Sequence, residues 1–328
     1  MFFALNLMFL SPKGFSQTLP RILILSVSIS ASLGIVGSIF KMPFFVEGLG
    51  APLTRSVGAS TDPNNFSLMI IFILPLLAHW FFMARRMVDK VLVSLLFCMN
   101  ILGIVFTYSR GGALVLSLTL FLLFIEHMRR FRPKYLGFVA VFATVALLLT
   151  VILVPSSYWE RQKSVTRTAE DSALARRISY FHVGWEAFKE NPLLGSGPGT
   201  FKLRYAQSDA ALQFERDEEK LKRYAHNTYM EYLVGTGMLG FIVFLIILRL
   251  AWKNFSLAKK RYQLQDKGEL SSLVSAFRIS FFSLLTYLFI FSGVYHKYLL
   301  VALAISQTAF NLSQDSHRET DGSTSPSE

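Results

Sequence analysis

The stretch ARRISYFHVGWEAFKENPLLGSGPGTF, Ala175 to Phe201, is polar and patterned in a chain that is otherwise mostly apolar, and the rest of the sequence is read outward from it. A second piece, AHNTYMEYLVGTG at Ala225 to Gly237, follows it. Leu174, Ile178, Phe181, Trp185 and Phe188 recur at steps of three and four, which predicts an amphipathic helix over Ser172 to Lys189 on or near a membrane. Arg177 falls at the border of this stripe and Arg176 points away from it, so a membrane-facing or cleft-facing role suits Arg177 better. His182, beside the stripe, reads as structural. The helix stops at Asn191-Pro192, and Gly195, Gly197 and Gly199 predict a tight turn that folds the chain back. A nucleotide-binding P-loop would end in Gly-Lys-Ser/Thr between a strand and a helix, and neither condition is met.

Composition sets the surroundings of this island. The chain has 328 residues, 52% hydrophobic and 16% charged, with a mean hydropathy of +0.44. These values exceed what a soluble core needs and indicate a polytopic membrane protein. A formal net charge of +12 would suggest nucleic acid in a soluble domain. In a membrane protein it is the basic excess expected of cytoplasmic loops and lipid head groups, so no nucleic-acid partner is expected. Cys98 is the single cysteine and lies in an apolar run, which excludes an intrachain disulfide and a cysteine-built zinc cluster.

Apolar runs of bilayer length occur at Arg21 to Phe40, Phe66 to Ala84, Val91 to Tyr108, Ala113 to Met128, Tyr135 to Val154, Tyr229 to Leu250, Leu273 to Phe291 and Tyr298 to Leu312. About eight spans result, an all-α bundle. Met1 to Leu10 is apolar but too short to span and lacks a basic n-region, so it reads as the tail of a longer helix or a re-entrant piece. Every second loop is rich in Lys and Arg, as at Arg85-Arg86, Arg129 to Lys134 and Lys253 to Arg261, and the positive-inside rule makes that set cytoplasmic. The Arg55 loop, the Arg110 turn, the long loop and the His296 turn then share the external face. The expected layout is 1–154 N-terminal spans, 155–228 an external loop holding short amphipathic helices, 229–312 C-terminal spans, and 313–328 a polar disordered tail.

Four features on that face carry candidate chemistry, each with a plainer reading beside it. Arg110, in the turn Ser109-Arg110-Gly111-Gly112, is a snorkelling arginine or a guanidinium offered to phosphate, with glycines that let a head group approach. Arg177 is an interfacial cation or a cleft residue. His226, at the mouth of a span, is a structural histidine or a base for a hydroxyl. Asn227 and Glu231 are one helical turn apart and could orient an imidazole or a sugar. The run Glu215 to Glu219 pairs with Lys220, Lys222 and Arg223 and reads as a solvated helix; no metal site is expected.

Taken in order, TRSVGASTDPNNF at Thr54 to Phe66, YSRGGALVLSL at Tyr108 to Leu118, RISYFHVGWEAFKENPLLGSGPGTF at Arg177 to Phe201 and HNTYMEYLVGTGMLG at His226 to Gly240 resemble the O-antigen ligase and Wzy-type polymerase family of bacterial membrane proteins. The resemblance covers roughly residues 54 to 250. It implies a GT-C-like polytopic fold and a glycosyltransferase of the cytoplasmic (inner) membrane. The active site would face the periplasm and act, without metal or cofactor, on glycan carried by undecaprenyl diphosphate. Acceptors in the family are a growing glycan, lipid A core or protein. Carried over, Arg110 and Arg177 hold the diphosphate and His226 is the base or orienting group; Arg55 and Asn65 match the earlier loop motif as substrate-binding residues. Family members usually carry several more N-terminal helices, so this chain is a short member or lacks its start. The alternative is a transporter or flippase for a lipid-linked or anionic solute, although the charged residues crowd at the ends of the spans rather than within them.

Overall fold

The computed structural model describes residues 11–49, 54–128, 172–214, 221–292 and 297–322. The regular structure of the described residues is helical except for one short hairpin. A π-helical turn, Gly14–Thr18, leads into α1 (Leu19–Phe40). Strands β1 (Val46–Glu47) and β2 (Arg55–Ser56) follow and pair antiparallel, with Glu47 opposite Arg55. Then come α2 (Pro63–Met83), α3 (Met87–Phe106), α4 (Arg110–His127), α5 (Ser172–Glu190), α6 (Phe201–Ala206), α7 (Asp209–Leu212), α8 (Thr228–Leu264), α9 (Gly268–Ile290) and α10 (Lys297–Gly322).

Among the described residues six helices are long and apolar enough to cross a membrane: Gly14–Phe40, Pro63–Met83, Met87–Phe106, Arg110–His127, Thr228–Leu264 and Gly268–Ile290. The chain is therefore an all-α polytopic bundle. Six of the eight expected spans coincide with these helices. The expected span at Tyr135 to Val154 lies outside the described residues, as do the decapeptide Met1 to Leu10, the Glu215 to Glu219 run and His296. Tyr298 to Leu312 is helical but is not among the six. Its apolar run is short and carries Gln307 and Asn311, and the helix continues through the polar residues to Gly322.

The chain divides into two compact units, Met1–Tyr158 with Ala251–Leu284 and Tyr298–Glu328, and Trp159–Leu250 with Leu285–Lys297. In the first, α2 is the central helix. Phe66, Leu68, Ile70, Ile71, Phe72, Ile73, Leu74, Leu76 and Leu77 are all buried, so it is apolar around its whole circumference and surrounded by protein. Asp62 caps it, its Oδ1 accepting the N–H groups of Asn64 and Asn65 at 2.8 and 2.9 Å, and Pro63 begins it. Buried and half-buried polar side chains tie the helices together, as apolar contact alone gives no preference over lipid. Asn100 Nδ2 donates to Ser28 Oγ at 2.9 Å, Thr119 and Ser283 hydroxyls meet at 2.7 Å, and Lys259 donates to Glu126 at 2.7 Å.

Gly112 has a different use from the head-group approach expected of it. A Cβ there would lie 2.7 Å from Ser67 Oγ and 2.9 Å from Ser67 Cβ, so its bare backbone is taken up by the packing of α4 on α2. Gly112→Val is expected to cost about 1–3 kcal/mol by overpacking, read as a lower unfolding temperature of the purified protein.

The second unit has its own core. Tyr180, Val183 and Ala187 of α5 pack with Phe201, Tyr205, Ala211, Leu221, Ala225, Met230 and Val234. Tyr180 meets Tyr205 at 4.7 Å and 74° and Phe201 at 6.3 Å and 84°, edge-to-face geometry favoured by ring quadrupoles. The helix expected over Ser172 to Lys189 is present, and its apolar stripe is left largely open. Ile178, Phe181 and Trp185 stay exposed, and of the stripe only Phe188 is buried among residues whose side chains are described. The buried face is built from Tyr180, Val183, Gly184 and Ala187. Its small residues carry little hydrophobic weight in a sequence pattern, yet they let neighbouring segments approach closely.

Candidate active site

The His226 loop is held by its own backbone partners. Asn227 caps α8, its Oδ1 accepting the Met230 N–H at 3.0 Å while its carbonyl accepts the Glu231 N–H at 3.1 Å. Glu231 turns back one turn later, and its Oε1 accepts the Ala225 N–H at 2.9 Å and the Ser292 hydroxyl. Between these anchors His226 takes φ +49°, a left-handed conformation uncommon for a non-glycine residue. Glu231 is only 7% exposed, so it acts on the loop as a clamp. Removing one partner of a buried charged hydrogen bond costs about 1.5–3 kcal/mol. Ser292→Ala is expected to lose about that much, and Ser292→Thr to restore it, in thermal unfolding of the purified protein.

The clamp holds His226 in an aromatic corner. Its ring stacks on Tyr180 with centroids 5.7 Å apart and planes 25° from parallel, and presents an edge to Phe291 at 6.4 Å and 72°. The Arg177 guanidinium carbon lies 5.4 Å from the centre of the same Phe291 ring, a cation–π distance. Phe291 is itself fixed, stacked on Tyr287 at 4.6 Å and 27°, with its carbonyl accepting the Thr228 hydroxyl at 2.8 Å. Arg177 and His226, distant in sequence, thus meet on one ring.

Arg176 goes elsewhere. Its guanidinium lies 5.5 Å from the Phe214 ring, and its Nε is buried with no hydrogen-bond partner among the described residues. Burial pushes the Tyr180 phenol up from its ordinary pKa, aided by Tyr205 and opposed by Arg176, Arg223 and Arg177, so it is protonated at neutral pH. Sequence reasoning missed Tyr180, Phe291 and Ser292. The only local signal for the last two is their place at the mouth of a span.

The first unit holds the other expected residues. Arg55 Nε donates to the Thr107 carbonyl at 2.9 Å, Nη2 to Asn64 Oδ1 at 3.5 Å, and Nη1 lies 3.7 Å from Glu47 Oε2 across the hairpin. Burial lowers the Arg55 pKa, against the opposing pull of Glu47 and Asp62; an arginine stays charged even so. The Asn64 side chain also accepts the Ser109 hydroxyl at 2.8 Å. Asn65, the residue singled out from sequence, is in the first turn of α2 with its N–H on Asp62. Ser109 Oγ in turn accepts the Gly112 N–H at 3.0 Å, capping α4, of which Arg110 is the first residue. Tyr108 before it takes φ +52°. The Arg55 hairpin and the Arg110 turn are therefore joined through Asn64.

These features define a class, a polytopic helical membrane protein whose loop gathers an arginine and a histidine on an aromatic corner. Residues 91–245 match the O-antigen ligase family model, a match that supports the O-antigen ligase/Wzy-type family. The match includes Arg110, Arg177, His226, Asn227 and Glu231 and leaves out Arg55 and Asn65. It supports a membrane enzyme of ligase or polymerase type. No curated protein matches the chain.

Proposed function

We propose that the chain is a metal-independent glycosyltransferase that takes glycan from undecaprenyl diphosphate at the external face of the bacterial cytoplasmic membrane. It passes that glycan to a growing chain as a polymerase, or to lipid A core or protein as a ligase. The observation that carries this reading is the meeting of Arg177 and His226 on Phe291. A base and a cation for the leaving group are the two functions that glycosyl transfer from a lipid diphosphate needs.

In this mechanism the acceptor hydroxyl attacks the anomeric carbon and gives its proton to the His226 imidazole. The new carbon–oxygen bond forms as the bond from that carbon to the diphosphate breaks. Undecaprenyl diphosphate leaves with the electron pair, and the Arg177 fork takes up the charge on its oxygens. Tyr180 supports the imidazole from behind. Asn227 and Glu231 position the loop, since Asn227 Oδ1 accepts the Met230 N–H and Glu231 Oε1 accepts the Ala225 N–H. Arg110, in the first unit, is by itself a candidate for binding phosphate, as the resemblance implies. Arg55 and Asn65 shape the substrate side of the hairpin.

The external location rests on the Lys- and Arg-rich loops of the opposite set. In cells that make and export the lipid-linked precursor, His226→Ala is expected to abolish transferred glycan. Loss of long ladders with single units still attached marks a polymerase, and free lipid-linked glycan marks a ligase. Unchanged surface glycan would remove His226 from the chemistry.

A further inference from the structure

The GSGPG turn, which the reaction does not use, is built into a break in a membrane helix. Helix α8 is interrupted at Gly237, where φ is +62° and ψ −168°. A break of this kind frees backbone groups, and inside a bilayer each unsatisfied group costs several kcal/mol. The turn after α5 supplies the partners. Met238 N–H donates to Pro192 O at 2.8 Å and Leu239 N–H to Leu193 O at 3.2 Å. In return Ser196 N–H donates to Val234 O and Gly197 N–H to Gly235 O, both at 2.9 Å. Backbone meets backbone so closely that a Cβ on Gly195 would lie 2.5 Å from Gly237 N.

The level of this junction follows from the sequence of α8, which carries no charge from Tyr232 to Leu248 and has Arg249 beyond. Met238 and Leu239 lie inside that charge-free section, exposed like Ile242, Val243 and Ile246 on the same helix. The turn bound to them ends in two leucines that touch little protein, Leu193 at 64% and Leu194 at 76% exposed. The ion pairs Glu186–Lys189 and Glu190–Arg204, both 2.7 Å, flank the turn in sequence and are open to solvent.

We propose that the Asn191–Gly199 turn is a re-entrant element, with Leu193 and Leu194 seated among the acyl chains of the leaflet on the side of the Arg177 loop. Two independent observations carry it. The exposed leucines belong to a turn tied to the exposed, charge-free section of α8, and the backbone at the break is reciprocally hydrogen-bonded as a bilayer demands and water does not. The exposed Ile178, Phe181 and Trp185 of α5 extend the apolar surface toward the head groups. The proposal stands apart from the assigned chemistry and holds whatever the chain transfers.

Its test is a nitroxide attached at single cysteines introduced into the Cys98→Ser protein in phospholipid nanodiscs. Leu194→Cys is compared with Lys189→Cys, expected in water, and Ile246→Cys, expected in lipid. At position 194 collisions with oxygen should exceed those with a water-soluble nickel chelate, with a ratio nearer that of position 246. A ratio nearer that of position 189 would overturn the proposal. Leu193→Cys gives a second reading if the first variant does not fold.

Discussion

Gly237→Ala is expected to cost about 2–6 kcal/mol and to leave little folded protein. Two effects add. The backbone at Gly237, φ +62° and ψ −168°, lies in a region that is essentially glycine-only, and forcing a side chain there costs about 1–3 kcal/mol. The added Cβ would also stand 2.3 Å from the Leu193 carbonyl oxygen and 2.6 Å from Gly195 N, neither of which can swing aside as a flexible side chain would. Overpacking of this sort adds about 1–3 kcal/mol. Gly268→Ala is the control, because a Cβ there meets nothing within 4 Å, and it should stay within about 0.5 kcal/mol of the parent. Yield and thermal unfolding of the two variants, purified in parallel, decide the matter. Equal stability would mean that the clasp between Gly195 and Gly237 is not what holds the two halves of the loop.

Arg177→Ala is expected to lower the turnover rate about 100- to 1000-fold, the usual loss when one preorganised donor to a developing anion is removed. Arg177→Lys should recover only part of it. A lysine keeps the charge but loses the planar two-pronged donor and the broad contact with the Phe291 ring, whose centre lies 5.4 Å from the guanidinium carbon. Arg176→Ala separates charge from placement. That arginine adjoins Arg177 in sequence but lies over Phe214, so its loss should change turnover less than tenfold. The readout is turnover at saturating donor with folding checked by thermal unfolding. A loss as large for Arg176→Ala as for Arg177→Ala would mean that the loop acts only by its overall positive charge.

Much of this frame was open to reading before the fold was known. The amphipathic period predicted α5 to within a residue at its C-terminal end, Asn191-Pro192 marked its stop, and six apolar runs became six membrane-length helices. Helical phase separated Arg177 from Arg176, and the two do lie on different rings.

What stayed hidden was tertiary. Which face of α5 is buried depended on Gly184 and Ala187, whose value lies in close approach rather than hydrophobicity. Phe291 is one of 31 phenylalanines, and its place at the mouth of a span does not by itself single it out as the one that carries both Arg177 and His226. Glu231 drew notice because it shares a helix face with Asn227, but that its Oε1 would hold Ala225 N–H and the Ser292 hydroxyl could not be read from the sequence. Asn64 and Asn65 are adjacent, and only the packing of the hairpin beside α4 makes Asn64 the one that receives Arg55 and Ser109. The GSGPG turn was legible as a turn, but its partner, the GTG at Gly235 to Gly237, lies far along the chain.

The central claim is that His226 and Arg177 perform glycosyl transfer. Its most direct test is purified protein in liposomes, supplied with undecaprenyl-diphosphate-linked glycan and an acceptor glycan, with both the extended glycan and the released undecaprenyl diphosphate measured. The parent protein should yield the two products in equal amounts, and His226→Ala neither of them above background. Extended glycan from His226→Ala at the parent rate, or labelled donor crossing the bilayer with no covalent product from either protein, would contradict it.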